Sequence, residues 1–110
     1  MVPTVTVPEA EQVVAAGGVF LDIREPEEWD AGHAPDATWI PMSQLNERVA
    51  EVPRDRRIVA VCRSGARSER VAQALVQRGY DAMNLAGGMQ AWEADGRPIV
   101  NDAGGQGVVA

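Results

Sequence analysis

The chain carries one cysteine, Cys62, in the run Val61-Cys62-Arg63-Ser64-Gly65-Ala66-Arg67-Ser68. A thiolate is a strong nucleophile, and three of the ten arginines, Arg63, Arg67 and Arg70, follow it within eight residues. Electropositive surroundings stabilise the anion: the pKa of a free thiol, about 8.5, falls to roughly 3.5–7.5 there. The chain as a whole has a net charge of −6. A local basic cluster in an acidic protein suits a small anionic ligand. Plainer readings compete. A lone cysteine is commonly a small buried hydrophobe, and surface arginines are commonly solvated. On position alone, Arg67 is a ligand contact or a solvated residue. Arg70 reads as solvated or paired with a neighbour. Ser68 reads as a cap or first-turn residue before anything catalytic.

Composition removes other chemistries. Every basic residue is arginine, so a Walker-type phosphate loop and a Schiff-base enzyme both lack their lysine. One cysteine makes no intramolecular disulfide. With the single histidine, His33, it cannot supply the three or four N/S ligands of a zinc site. Neither a metal nor a cofactor is expected. The acidic balance argues against nucleic acid and anionic membrane as partners. No apolar run approaches the roughly 20 residues of a membrane span. Met1-Val-Pro-Thr-Val-Thr-Val lacks the regions of a secretory signal. The expected location is a reducing cytoplasm.

Positioning Cys62 is a matter of the flanking elements. Ile58-Val59-Ala60-Val61 is a continuous, β-branched apolar run, the pattern of a central parallel strand buried on both faces. Ser68 to Arg78 reads as an amphipathic helix stopped by Gly79. Cys62 therefore sits between a strand and a helix, where open α/β sheets bind ligands. A short loop entering a helix aims several N–H groups at one point, and Gly65 permits a positive φ there. Around this unit, strands and helices alternate. Val2 to Val7 reads as an edge strand, Pro8 to Ala16 as a helix and Val19 to Asp22 as a buried strand. Pro26 to Ala31 reads as a short helix and Thr38 to Ile40 as a brief strand. Ser43 is expected to cap a helix to about Ala50. Ala82 to Leu85 is a further strand and Met89 to Ala94 a last helix. The expectation is one α/β domain over residues 1–100: a three-layer sandwich with a mainly parallel five-stranded sheet and helices on both faces. The glycine-bearing stretch 101–110 is expected to be a flexible tail.

These residues carry a resemblance. Cys62 to Ser68 resembles the active-site loop of the rhodanese family. Leu21-Asp22-Ile23-Arg24-Glu25, with Glu28-Trp29-Asp30-Ala31-Gly32-His33-Ala34-Pro35 and Ile40-Pro41, is similar to that family's first signature. Leu85-Ala86-Gly87-Gly88-Met89-Gln90-Ala91-Trp92 is similar to its last. Two departures are visible: Asp36 where a glycine is common, and Trp39 where an asparagine is common. The resemblance implies a thiosulfate sulfurtransferase in which Cys62 becomes a persulfide. The N–H groups from Arg63 through Ser64, Gly65 and Ala66 to Arg67 would hold its terminal sulfur. A small anionic donor, and a thiol or cyanide acceptor, are the implied partners, with a sulfur-accepting protein as a further one. Asp22, Arg24, His33, Ser68, Gly87 and Gly88 are read as structural parts of the motifs.

Two rivals remain. A cysteine phosphatase needs its arginine six residues after the cysteine to clamp phosphate, whereas Arg67 is five residues after Cys62. A non-catalytic module of the same type, for binding or regulation, is the other; a third reading keeps the chemistry and makes the chain a relay passing persulfide sulfur to a partner protein.

Overall fold

The computed structural model describes residues 2–110. Met1, the first residue of the expected domain, lies outside the described residues. Five strands and five α-helices alternate: β1 (Thr4–Val5), α1 (Val7–Ala15), β2 (Val19–Asp22), α2 (Pro26–Ala31), β3 (Thr38–Trp39), α3 (Leu45–Arg48), β4 (Ile58–Val61), α4 (Ala66–Gln77), β5 (Ala82–Leu85) and α5 (Gly88–Ala94). All strand pairs are parallel, in the order β1-β5-β4-β2-β3. β4 thus lies at the centre, as its unbroken apolar pattern requires, because a strand flanked on both edges and covered on both faces offers no polar surroundings.

The period of two along the strands divides the core. Leu21, Ile58, Ala60 and Ala82 pack with Val71, Ala72 and Leu75 of α4 and Leu45 of α3. Phe20, Val59, Val61, Met83 and Leu85 pack on the other face with Val7, Ala10 and Val13 of α1 and with Met89 and Trp92 of α5. Helices on both faces of one parallel sheet make the expected three-layer α/β sandwich.

Local chemistry moved several boundaries. The first strand stops at Val5 because Thr6 caps α1. Its Oγ1 accepts from the Glu9 N–H at 3.3 Å, and the Glu9 carboxylate accepts from the Thr6 N–H at 2.9 Å. Ser43 is not a helix cap. Its hydroxyl and N–H donate to the Glu25 carboxylate at 2.8 and 3.3 Å, tying the segment to the start of α2. Where a longer helix was expected, α3 has only four residues, between the 3₁₀ turns Met42–Gln44 and Val49–Glu51. Asp36 takes φ +64°, the left-handed region that glycine favours and aspartate tolerates.

The stretch 101–110, expected to be loose, is placed against the body of the protein. The Val108 N–H donates to the Ala31 carbonyl and the Gly107 N–H to that of Ile99, each at 2.9 Å. Val100 pairs with both His33 and Gln106. The Ala31 and Ile99 carbonyls provide partners for backbone that composition alone marks as aperiodic.

Candidate active site

β4 delivers Cys62 to the carboxyl end of the sheet, and α4 begins four residues later. Gly65, at φ +104°, turns the chain into that helix. The turn folds the loop around the sulfur. Cys62 Sγ accepts from the N–H of Gly65 at 3.1 Å, the N–H of Ser68 at 3.5 Å and the hydroxyl of Ser68 at 3.3 Å. The helix starts two residues earlier than its apolar spacing implied, at Ala66. This places Ser68 in the first turn, fully buried with its free N–H aimed at the sulfur. Cys62 is 1 % exposed, and Arg63, Ser64 and Ala66 form the exposed lip above it.

Burial pushes the Cys62 thiol up. The Ser68 hydroxyl and the N–H groups of Ser68, Gly65 and Ser64 act against it and prevail, so the pKa lies below the usual thiol value. The loop therefore stabilises negative charge on sulfur with neutral donors. Of the sulfur-facing N–H groups, those of Ser64 and Gly65 fall within the expected Arg63–Arg67 stretch, and that of Ser68 lies just beyond it.

The arginines are differently employed. Arg67 lies on the first turn of α4 and reaches Glu28 of α2 with two parallel hydrogen bonds, both 2.8 Å. That guanidinium, more than any other group, holds the Glu28 carboxyl below its usual range. Arg63 is exposed, and its Nε donates to the Ala110 carbonyl at 2.9 Å. Arg70 is exposed one turn further along α4.

Of the motif residues, Asp22, Arg24 and His33 tie together the segments after β2, and Gly87 and Gly88 bring α5 onto the Cys62 loop. Arg24 and Asp22 are both fully buried, with Nη2 to Oδ2 at 2.8 Å and Nε to Oδ1 at 3.0 Å. Arg24 Nη2 also donates to the Gly32 carbonyl at 2.7 Å, which ties the end of β2 to the end of α2. His33 is not among the sulfur's donors: its Nδ1–H donates to the Trp29 carbonyl at 2.9 Å and its ring stacks on Trp29. Trp29 in turn stacks on Trp39, whose Nε1–H donates to the Arg24 carbonyl at 2.8 Å. Gly87 (φ +74°) and Gly88 (φ +57°) turn β5 into α5. The Met89 N–H then donates to the Cys62 carbonyl at 2.8 Å and the Gln90 N–H to that of Arg63 at 3.0 Å. The loop is clamped from both sides, by α4 at the sulfur and by α5 at the backbone.

Two residues at this site carry no signal in the loop's own pattern. Glu28 sits 39 positions from Arg67, and its spacing with Glu25 reads as a helix start. Asn84 is 5 % exposed and bonds both Ser68 and Gly65. Its signal was a single amide inside the otherwise apolar Ala82-Met83-Asn84-Leu85.

This geometry agrees with comparison to known proteins. The model of the rhodanese-like domain matches residues 6–95. A sulfurtransferase of Allochromatium vinosum is 45% identical over 87 residues, covering 78% of this chain and 81% of that protein. The putative sulfurtransferase YtwF of Bacillus subtilis is 38% identical over 79 residues, covering 72% and 77%. Among solved structures, a rhodanese-related protein of Thermoplasma volcanium superposes with a TM-score of 0.83 at 30% identity, covering 89% of this chain and 97% of that one. A strand-end cysteine in a helix-entering loop, the three motifs that frame it and a match spanning most of the chain lead to one conclusion: the chain belongs to the rhodanese-like domain family.

Proposed function

We propose that this protein is a sulfurtransferase that carries sulfane sulfur from thiosulfate, or a similar anionic donor, to cyanide or a thiol through a Cys62 persulfide. The observation that carries the reading is the cluster of N–H and O–H donors on Cys62 Sγ at the start of α4. Sγ, as thiolate, attacks the outer sulfur of the donor. The donor's S–S bond breaks and sulfite leaves with the bonding pair. The negative charge moves to the terminal sulfur of the persulfide. The acceptor, as cyanide or thiolate anion, then attacks that sulfur, and Cys62 departs as thiolate. No proton is transferred in either half, so no general base is needed, and the two halves imply ping-pong kinetics. The single thiol must stay reduced between turnovers, which a reducing compartment such as the cytoplasm provides.

The phosphatase alternative is disfavoured by the same geometry, since Arg67 is turned to Glu28 rather than across the loop. A protein acceptor, making the chain a sulfur relay, is compatible with the same chemistry.

The test is the mass of the intact protein after exposure to thiosulfate and then cyanide. One added sulfur atom, removed as thiocyanate, is the expected result, and Cys62→Ser abolishes it while the protein remains folded. No mass change in the wild type refutes the reading. Cys62-dependent hydrolysis of an aryl phosphate would establish the phosphatase.

A further inference from the structure

Asn84 is the polar residue of β5. Strand alternation sets Ala82 and Asn84 toward the α4 face, while Met83 and Leu85 point to the opposite core. The Asn84 amide therefore lies under the Cys62 loop. Its Nδ2 donates to the Gly65 carbonyl at 3.1 Å, and its Oδ1 accepts from the Ser68 hydroxyl at 2.6 Å. A carbonyl only accepts, so Gly65 fixes which end of the amide faces it. The end left facing Ser68 is Oδ1, which also only accepts.

Ser68 thus has one hydroxyl proton and two acceptors within reach, Asn84 Oδ1 at 2.6 Å and Cys62 Sγ at 3.3 Å. It serves one at a time. With the proton toward Asn84, a lone pair of Ser68 Oγ faces the sulfur, which suits a neutral S–H. With the proton toward the sulfur, the thiolate gains a charge-assisted bond while two oxygens are left face to face at 2.6 Å. We propose that Asn84 is a positioning residue that competes with the Cys62 sulfur for the Ser68 proton.

The competition matters over the reaction cycle. In the thiolate, the charge is on Sγ and the Ser68 proton turns to it. Once Sγ is bonded to a second sulfur, the charge has moved to the terminal atom. Ser68 then returns its hydrogen bond to Asn84. The proton stays on Ser68 Oγ throughout; only its direction changes. Asn84 thereby keeps the thiolate less stabilised, and so more nucleophilic, than the loop alone would leave it, and compensates Ser68 when sulfur is loaded.

This inference rests on Cys62 acting as a thiolate. The charged groups on the elements around the sulfur are Arg63 of the loop, Arg67, Glu69 and Arg70 of α4, Glu28 of α2 paired with Arg67, Glu93 of α5, and Asp22 at the end of β2 paired with Arg24 just beyond it. None is altered by the test. The rate of Cys62 alkylation by iodoacetamide is measured against pH for wild type, Asn84→Ala, Ser68→Ala and the double variant, with a thermal melt of each. The midpoint moves to lower pH in Asn84→Ala, because Ser68 is released to the sulfur. It moves to higher pH in Ser68→Ala. In the double variant it coincides with Ser68→Ala, because Asn84 acts only through that hydroxyl. Asn84→Leu, which fills the same space without an acceptor, repeats the Asn84→Ala shift if the smaller side chain melts the domain. A midpoint that stays or rises in both Asn84 variants overturns the proposal. So does a double variant displaced from Ser68→Ala. Alkylation needs no sulfur donor, so a failure of sulfur transfer and a failure of this competition are separate results.

Discussion

Gly88→Ala tests whether α5 sets the backbone of the nucleophile. Gly88 has φ +57°, and a Cβ placed on it would lie 2.4 Å from the Cys62 carbonyl oxygen and 2.7 Å from the carbonyl carbon and oxygen of Arg63. These are backbone atoms, so no side chain can rotate away. Either α5 or the loop must retreat by about 1 Å to restore ordinary contact, near 3.4 Å. An L-residue in the left-handed region costs roughly 1–2 kcal/mol. Overpacking, or the loss of the Met89–Cys62 and Gln90–Arg63 hydrogen bonds that a retreat entails, adds roughly 1–3 kcal/mol. The sum is about 2–5 kcal/mol, a large part of the roughly 5–15 kcal/mol that holds a domain of this size. At roughly 4 °C per kcal/mol, Tm falls by about 8–20 °C. Gly96→Ala is the control, because Gly96 has a similar φ of +75° but no atom within 4 Å of an added Cβ. It isolates the strain and lowers Tm by only about 4–8 °C. Sulfur loading from thiosulfate, followed by mass below both melting points, falls in Gly88→Ala and not in Gly96→Ala. Equal Tm losses in the two variants, with loading intact in both, would refute the argument that α5 holds the loop through this contact.

Other outcomes follow from the same geometry. Arg63→Ala raises KM for thiosulfate and leaves Tm within about 2 °C, since this exposed cation holds a single carbonyl. Arg67→Ala lowers Tm as well, because it leaves Glu28 partly buried and unpaired. In the wild type, the stability from this pair is complete above pH 4.5 and fades as the pH falls through the lowered Glu28 pKa; Arg67→Ala loses that acid dependence. Kinetics and melts against pH decide both. Arg24→Met strands the Asp22 carboxylate at zero exposure and destabilises by about 3–5 kcal/mol. The double variant Asp22→Asn/Arg24→Met recovers part of the lost Tm, whereas equal losses in the single and double variants would show that the charge is not the cause.

Sequence by itself determined the order of the elements and the place of the nucleophile. Ile58–Val61 announces a central strand because four consecutive apolar, largely β-branched residues suit burial on both faces, and the structure buries all four completely. Cys62 follows because a polar, glycine-bearing run must begin where that strand ends. These are local properties of period and composition, legible without knowing what lies nearby. Only tertiary structure decided what each site side chain touches. Arg67 looked free to meet an anion, but its partner Glu28 is 39 residues away and reaches it only when α2 is folded over α4. Asn84 is one amide in a short apolar strand, and only the parallel pairing of β4 with β5 sets it beneath Ser68 and Gly65. The stretch beyond Asn101 has no period from which packing can be read, yet its N–H groups find carbonyls at Ile99 and Ala31. A pattern along the chain reports how much of a residue faces the core. The identity of its neighbour depends on which distant segments the sheet order brings together, and no single segment encodes that order.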